Sequence, residues 1–292
     1  MIEKTIFILF VGFLLQGCAS QSVVEEPLVG DDLYKEAQSL TFDFIKNAQH
    51  SDDLSGIAWV PTQGHYYLLL NAGGFIYEVD RHFQLVREVR IYGFDDPEDL
   101  TFLEMTPSGP RFAIVEEQGT IAMGVIPDAE THVDRATFEL VTFDLKASEG
   151  WSINSWLLSQ NKGAEGLAFN KNKDIFYVVK EKWPLDVLEV SYQSVNTETD
   201  ARTMRLFSEL ELKQIESEIS DLSSIYYDAD SETLYLLSDE SRKILTVDLN
   251  TRIISVIKDQ LALPQPEGMT FGEGGKLIVV SEPYYGLVLE RP

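Results

Sequence analysis

Three glutamates open near-copies of one short motif: Glu98 in "PEDLTF", Glu165 in "AEGLAF" and Glu267 in "PEGMTF". Serine takes the same place twice more, Ser55 in "LSGIAW" and Ser223 in "LSSIYY". Between 15 and 19 residues further on, five β-prone segments end in a second recurring polar position: Asn71, Glu117, Glu181, Asp239 and Glu282. Carboxylates brought together in this way repel and raise one another's pKa unless a counter-charge is present. No basic residue recurs in either column, although Lys180 and Lys182 flank Glu181. With no Cys or recurring His in the set, the donors are oxygens, which select a hard cation. Calcium is preferred over magnesium because it accepts about six to eight oxygens in loose geometry. The expected metal ligands are therefore Glu98, Glu165, Glu267, Glu117, Glu181, Asp239 and Glu282. The competing reading is that the motif glutamates accept hydrogen bonds from a neighbouring backbone and staple the fold.

Such a pattern needs a repeated element to carry it. The motifs are spaced by 43, 67, 58 and 44 residues, within the range of propeller blades with loop insertions. Each motif opens a first strand, and the second strands are "YLLLN", "AIVEE", "YVVKE", "YLLSD" and "IVVSE". Third strands follow ("GFIYEVD", "TIAMGVI", "VLEVSY", "ILTVDL", "GLVLER"). Fourth strands precede the next motif ("LVREVRI", "FELVTFDL", "TMRLFSEL", "IISVIK"). The last repeat lacks its fourth strand, and residues 40–46, "LTFDFIK", are expected to supply it and remove a free edge. The fold class is all-β, a five-bladed β-propeller, with a sixth blade inside the 67-residue interval as the alternative. In a propeller the start of strand one and the end of strand two lie at the same end, so both polar columns converge on one mouth.

The first 17 residues are expected to be a signal peptide: an apolar run from Thr5 to Leu15, too short to span a bilayer, ends in "LLQGC". Cys18, the only cysteine, resembles the lipidated residue of a bacterial lipobox. Lipidation removes the thiol, which excludes disulfides and thiol catalysis. Residues 18–39 are expected to form the lipidated Cys and a flexible tether, and residues 40–292 the propeller. Ala19 in place of Asp leans toward the outer membrane, with the domain facing the periplasm. Loss of Glu3 and Lys4 together leaves the mature charge at −25, against any non-specific affinity for nucleic acid.

The ordered succession "DLSGIAW", "DPEDLTF", "EGLAFN", "DLSSIYY" and "PEGMTF" resembles the bacterial SdiA-regulated family, distantly related to NHL-repeat propellers. The resemblance covers about residues 40–291. It implies a five-bladed propeller with a bound calcium in exported or membrane-anchored proteins, and carries over to Glu98, Glu165 and Glu267; the second column is an extension from spacing.

The function expected is a calcium-binding module for a small molecule or an envelope protein, in a monomer anchored through its N-terminal lipid. The alternative is a calcium-dependent hydrolase of esters, lactones or phosphoesters, with a ring carboxylate such as Asp239 as general base. His50, His65, His82 and His132 lie outside both columns and read as loop residues. No G-x-S-x-G nucleophile motif occurs, and "NAGGFI" and "GEGGKL" are hairpin turns rather than phosphate loops. Trp59, Trp151, Trp156 and Trp183 are expected in core or interblade packing; the alternative for Trp183 is a ligand platform, since it falls, like Tyr284 and Tyr285, in a loop that can overhang the mouth.

Overall fold

The computed structural model describes residues 32–48, 53–145, 163–182, 185–195 and 198–292. The strands form five antiparallel blades around one axis. Blade 1 contains β2 (Leu54–Val60), β3 (His65–Leu70), β4 (Phe75–Asp80) and β5 (Leu85–Tyr92). Blade 2 contains β6 (Pro97–Thr106), β7 (Gly109–Glu116), β8 (Thr120–Val125) and β10 (Glu139–Thr142). Blade 3 contains β11 (Ala164–Asn170), β12 (Ile175–Lys180), β13 (Asp186–Val195) and β14 (Glu198–Arg205). Blade 4 contains β15 (Ser224–Asp228), β16 (Thr233–Ser238), β17 (Lys243–Asp248) and β18 (Ile254–Lys258). Blade 5 contains β19 (Gln265–Phe271), β20 (Leu277–Glu282), β21 (Tyr285–Glu290) and, from the other end of the chain, β1 (Lys35–Thr41).

The sequence pattern of each strand follows its distance from the axis. Second strands are covered on both faces by neighbouring blades, so Tyr66, Tyr67, Leu68, Leu69 and Leu70 are all buried and form one continuous apolar run. The outer strand β5 has one wet face, and only Val89 and Ile91 are buried. Apolar packing falls into five wedges, one between each adjacent pair of blades. Burying a Leu, Val or Phe side chain in such a wedge contributes about 1.5–3 kcal/mol.

Closure by an N-terminal strand holds, but the strand lies earlier than expected. Lys35–Thr41 pairs with β21, from Lys35 opposite Glu290 to Thr41 opposite Tyr285. Residues 42–46 leave the sheet, and α1 (Asp43–Asn47) carries Ile45 into the wedge between blades 5 and 1 beside Phe42. The propeller therefore includes residues assigned above to the tether. β1 is an outermost strand with a single buried residue, Leu40, so it has no apolar alternation to betray it; its backbone ladder holds it.

The 67-residue interval between Glu98 and Glu165 supplies no sixth blade among the described residues. Its β9 (His132–Asp134) adds a fifth strand to blade 1, parallel to β5, while β10 completes blade 2. Part of the expected fourth strand of blade 3, "TMRLFSEL", instead leads into α2 (Glu209–Glu218), capped by Ser208 and Glu211. The signal peptide, Cys18, His50, Trp151, Trp156 and Trp183 lie outside the described residues.

Candidate functional site, an acidic mouth on the propeller axis

The first polar column sits at backbone irregularities. Pairing between first and second strands skips one residue in four blades: between Leu54 and Gly56, Pro97 and Asp99, Ala164 and Gly166, and Pro266 and Gly268. The skipped residues are Ser55, Glu98, Glu165 and Glu267. A β-bulge leaves its extra residue out of the ladder and re-aims its side chain. Here it turns three glutamates and a serine toward the axis. In blade 4 Ser223 precedes β15, and its N–H donates to the Leu237 carbonyl.

All seven residues expected to bind metal line one cavity of about 270 Å³. Ser55, Ser223 and Asn71 line it too, together with a third set of acids that the motif alignment passed over: Asp53, Asp96 and Asp221. Each stands two residues before a motif position, and "DDLSG", "DDPED" and "SDLSS" carry that spacing openly. The lining amounts to ten carboxylates, two serines and one asparagine, with no basic side chain among the described residues. No three of the described Asp, Glu, His or Cys side chains converge on one point closely enough to hold an ion as they stand.

Some of these groups are committed to the fold. Asp221 accepts from Ser238 Oγ and from the Asp239 and Glu240 N–H groups, which ties the turn of its own blade. Ser223 Oγ donates to the Pro266 carbonyl at 2.7 Å, stapling blade 4 to blade 5. Glu181 Oε1 pairs with Lys182 Nζ at 2.8 Å, and the same ammonium reaches Glu240 Oε1 at 2.8 Å. Ser55 is different: it is buried, lines the cavity, and its Oγ has no hydrogen-bond partner.

Electrostatics set the motif glutamates apart. Burial, then the charges of Glu165, Asp96, Asp53 and Glu117, push Glu98 up to about 10. Burial, then Asp239, Glu282 and Glu165, push Glu267 up to about 9. Glu165 rises to about 8 through burial and the neighbouring Glu181 and Glu117, with Lys182 opposing. Burial and Asp221 bring Asp239 to about 6, and Glu117 is raised as well, first by burial and then by Asp96. These carboxyls cannot all ionise at neutral pH without a cation among them.

One residue beyond the motif position, the ring is packed shut. Gly56, Gly166, Ser224 and Gly268 are small; Gly268 packs on Gly56, Gly166 on Ser224, and Asp99 on Gly56. Asp99 Oδ1 accepts from Leu100 N–H at 2.7 Å, and Oδ2 accepts from Leu167 N–H at 3.0 Å and Ser224 Oγ at 3.4 Å. A Cβ at Gly56 would stand 2.7 Å from Asp99 Oδ1. One buried carboxylate thus joins blades 2, 3 and 4.

None of the described histidines lines the mouth. His65 begins β3 instead of lying in a turn, with Nδ1 2.6 Å from the buried Glu78 Oε1, and His132 lies in β9. Tyr284, in the blade 5 turn, and Tyr285, which opens β21, pack at 4.8 Å with their planes tilted by 50°, and Lys46 Nζ lies 5.5 Å from the Tyr284 ring centre.

Fold and site together define a five-bladed β-propeller with an acidic mouth. The chain belongs to the SdiA-regulated family, whose model matches residues 33–288. Among solved structures it is similar to a luciferin-regenerating enzyme, at 13% identity and a TM-score of 0.52, over 89% of this chain and 94% of that one. It also matches a gluconolactonase from Xanthomonas campestris, at 10% identity and a TM-score of 0.49, over 90% of this chain and 97% of that one. At such identities the likeness extends to the chain fold and no further.

Proposed function

We propose that this propeller is an envelope-anchored binding module whose mouth holds a hard divalent cation, calcium by preference, and uses it to bind a small molecule or an envelope protein. The observation that carries this reading is the lining itself, ten carboxylates around about 270 Å³ with no base among the described lining residues. The unpartnered Ser55 Oγ adds a neutral oxygen aimed at the same space. Donors of this kind suit calcium, whose coordination is large and tolerant of water and of side-chain adjustment. Glu98, Glu165 and Glu267 are the residues that would hold the ion. Glu117, Glu181, Asp239, Glu282, Asp53 and Asp96 surround them and add to the negative potential that draws a cation in.

Anchoring is proposed through a lipid on Cys18, in the outer membrane with the domain in the periplasm. The apolar run and the "LLQGC" sequence support it. Mass spectrometry of the mature N-terminus checks it, and a Cys18→Ser chain found in the soluble fraction is the expected companion result.

Titration calorimetry on the chelator-stripped full chain in mild detergent tests the site. Binding of about one calcium, lost in Glu98→Gln and in Glu165→Gln, is expected. If no divalent cation binds, the motif glutamates are fold staples and the reading fails.

One observation favours a second reading, a calcium-dependent hydrolase. Asp239 faces the cavity with its carboxyl raised to about 6, near the pH where a general base is most useful. A bound cation would polarise a carbonyl or phosphoryl oxygen while Asp239 takes a proton from water. Turnover of an ester, lactone or phosphoester that needs calcium and disappears in Asp239→Asn would establish it.

A further inference from the structure

A second cavity, of about 620 Å³, lies at the other end of the blades. Its walls come from Tyr226 and Phe271 near the ends of first strands, Tyr235 near the start of a second, and Tyr34 just before β1. In blades 4 and 5 the acidic mouth sits at the opposite ends of those strands. Along those strands the lining residues of the two cavities stand three to four positions apart, Ser223 from Tyr226, Glu267 from Phe271 and Asp239 from Tyr235, or about 10–13 Å.

The rings form a built cluster. Phe271 packs against Tyr235 at 4.9 Å and 71°, against Tyr226 at 5.1 Å and 54°, and against Tyr34 at 6.3 Å and 65°. Tyr34 and Tyr235 are buried and act as backing, whereas Tyr226 and Phe271 keep part of their surface open to the cavity. Two bases and two acids stand around them, Lys276 and Arg291 against Asp228 and Glu290. Gly274 and Gly275, at φ 72° and 75°, line the same cavity, and a Cβ on either would meet nothing within 4 Å.

Charge narrows the occupant. With two charges of each sign at the rim, a free ion gains no net local field. An organic cation would enter beside two already in place, Lys276 and Arg291, whose guanidinium lies 5.3 Å from the Tyr34 ring centre with Nε donating to Tyr34 Oη at 2.9 Å. A wholly apolar ligand would lie against the Lys276–Glu290 pair, 2.7 Å apart and about half exposed, and return nothing for its desolvation. What remains is a neutral molecule with one apolar face and a polar circumference. Aromatic faces take the apolar side, and side chains with both donors and acceptors take the edge.

We propose that this cavity binds a neutral saccharide, one pyranose ring lying on Tyr226 and Phe271 with its hydroxyls exchanging hydrogen bonds with Lys276, Glu290 and Arg291. Its volume is within the range of small-ligand pockets. Because Tyr34 arrives with the closing strand, the site is complete only in the closed ring. It does not depend on a cation at the mouth.

Ligand-observed saturation-transfer NMR and calorimetry test this on the full chain in mild detergent with chelator present. The probes are tetramers of β-1,4-linked glucose, α-1,4-linked glucose and β-1,4-linked N-acetylglucosamine, with choline and benzoate as the cationic and anionic comparators. The expected result is binding of at least one saccharide, weakened tenfold or more by Tyr226→Ala and several-fold by Lys276→Ala. Lys276 is half exposed, so its variant keeps the wild-type melting temperature and decides the matter should Tyr226→Ala fail to fold. Absence of saccharide binding overturns the proposal, as does preferential binding of choline or benzoate. Saccharide binding that Glu98→Gln abolishes and Lys276→Ala leaves unchanged would belong to the mouth, and would equally overturn it.

Discussion

Asn71 Nδ2 donates to Glu98 Oε1 at 3.0 Å, so the end of the second strand in blade 1 holds the bulged residue of blade 2. The two polar columns therefore interlock around the ring instead of stacking blade by blade. Elsewhere the same relation brings acid against acid: Glu117 of blade 2 is among the charges that raise Glu165 of blade 3. Only the blade 1 position, an asparagine, offers a donor in place of a further charge.

Glu98→Gln should change sign with conditions. In chelator it removes a buried carboxyl crowded by four acids, and the melting temperature should rise by about 2–4 °C, the equivalent of about 1 kcal/mol. With calcium present the same change should weaken cation binding at least about tenfold, about 1.4 kcal/mol. Differential scanning fluorimetry in the two buffers checks both signs. A fall in chelator would mean that Glu98 acts as a staple.

Stability without a cation should decline as pH rises. Glu98, Glu267 and Glu165, at about 10, 9 and 8, lie above the unfolded carboxyl value of 4.5, so the folded state binds more protons than the unfolded one. A folded state that holds extra protons loses stability as they are removed. The loss begins above pH 4.5 and continues to about pH 10. Calcium should flatten this profile, and its binding at pH 7 should release protons, measurable as a buffer-dependent calorimetric enthalpy. A chelated protein whose urea midpoint rises between pH 5 and 9 would contradict the crowded-acid site.

Asp99→Ala should destabilise the ring from its centre. The Leu100 and Leu167 N–H groups lose their acceptor, at about 1–3 kcal/mol for each unsatisfied buried donor. A fall in the urea midpoint with unchanged slope is the expected observation.

Gly166→Ala tests the tightness of the same region by steric means. Its Cβ would lie 2.7 Å from Val179 Cγ2 and, more seriously, 2.8 Å from Ser224 Cα and 2.9 Å from Ile225 N, backbone atoms that cannot swing aside. Overpacking of this kind costs about 1–3 kcal/mol. A wild-type melting temperature would show that the blades can spread at the axis.

Deleting residues 19–41 should open the ring. It removes β1, bares the hydrogen-bonding edge of β21, and takes Tyr34 and Leu40 out of two interblade wedges. Exposed strand edges pair with other chains. Light scattering should report aggregation, and the saccharide site should vanish with Tyr34.

The five-fold motif, its β-prone second strands and the convergence of its acids were legible in the residues because each rests on a local, repeated pattern. Strand type follows from composition over a few residues, and a column recurring at nearly constant spacing in a closed ring must face one axis. The acids Asp53, Asp96 and Asp221 were equally visible, two residues ahead of the motif, but only the cavity shows that they join it. The tertiary structure alone decided the rest. It moved the closing strand to Lys35–Thr41, because an outermost strand is held by its backbone ladder and needs no apolar alternation. Long-range packing placed the bulges, put Asp99 at the centre of the ring, and left Ser55 Oγ without a partner while Ser223 Oγ found the Pro266 carbonyl. Each of these outcomes depends on which blade lies next to which, a relation between residues tens of positions apart that no local spacing records.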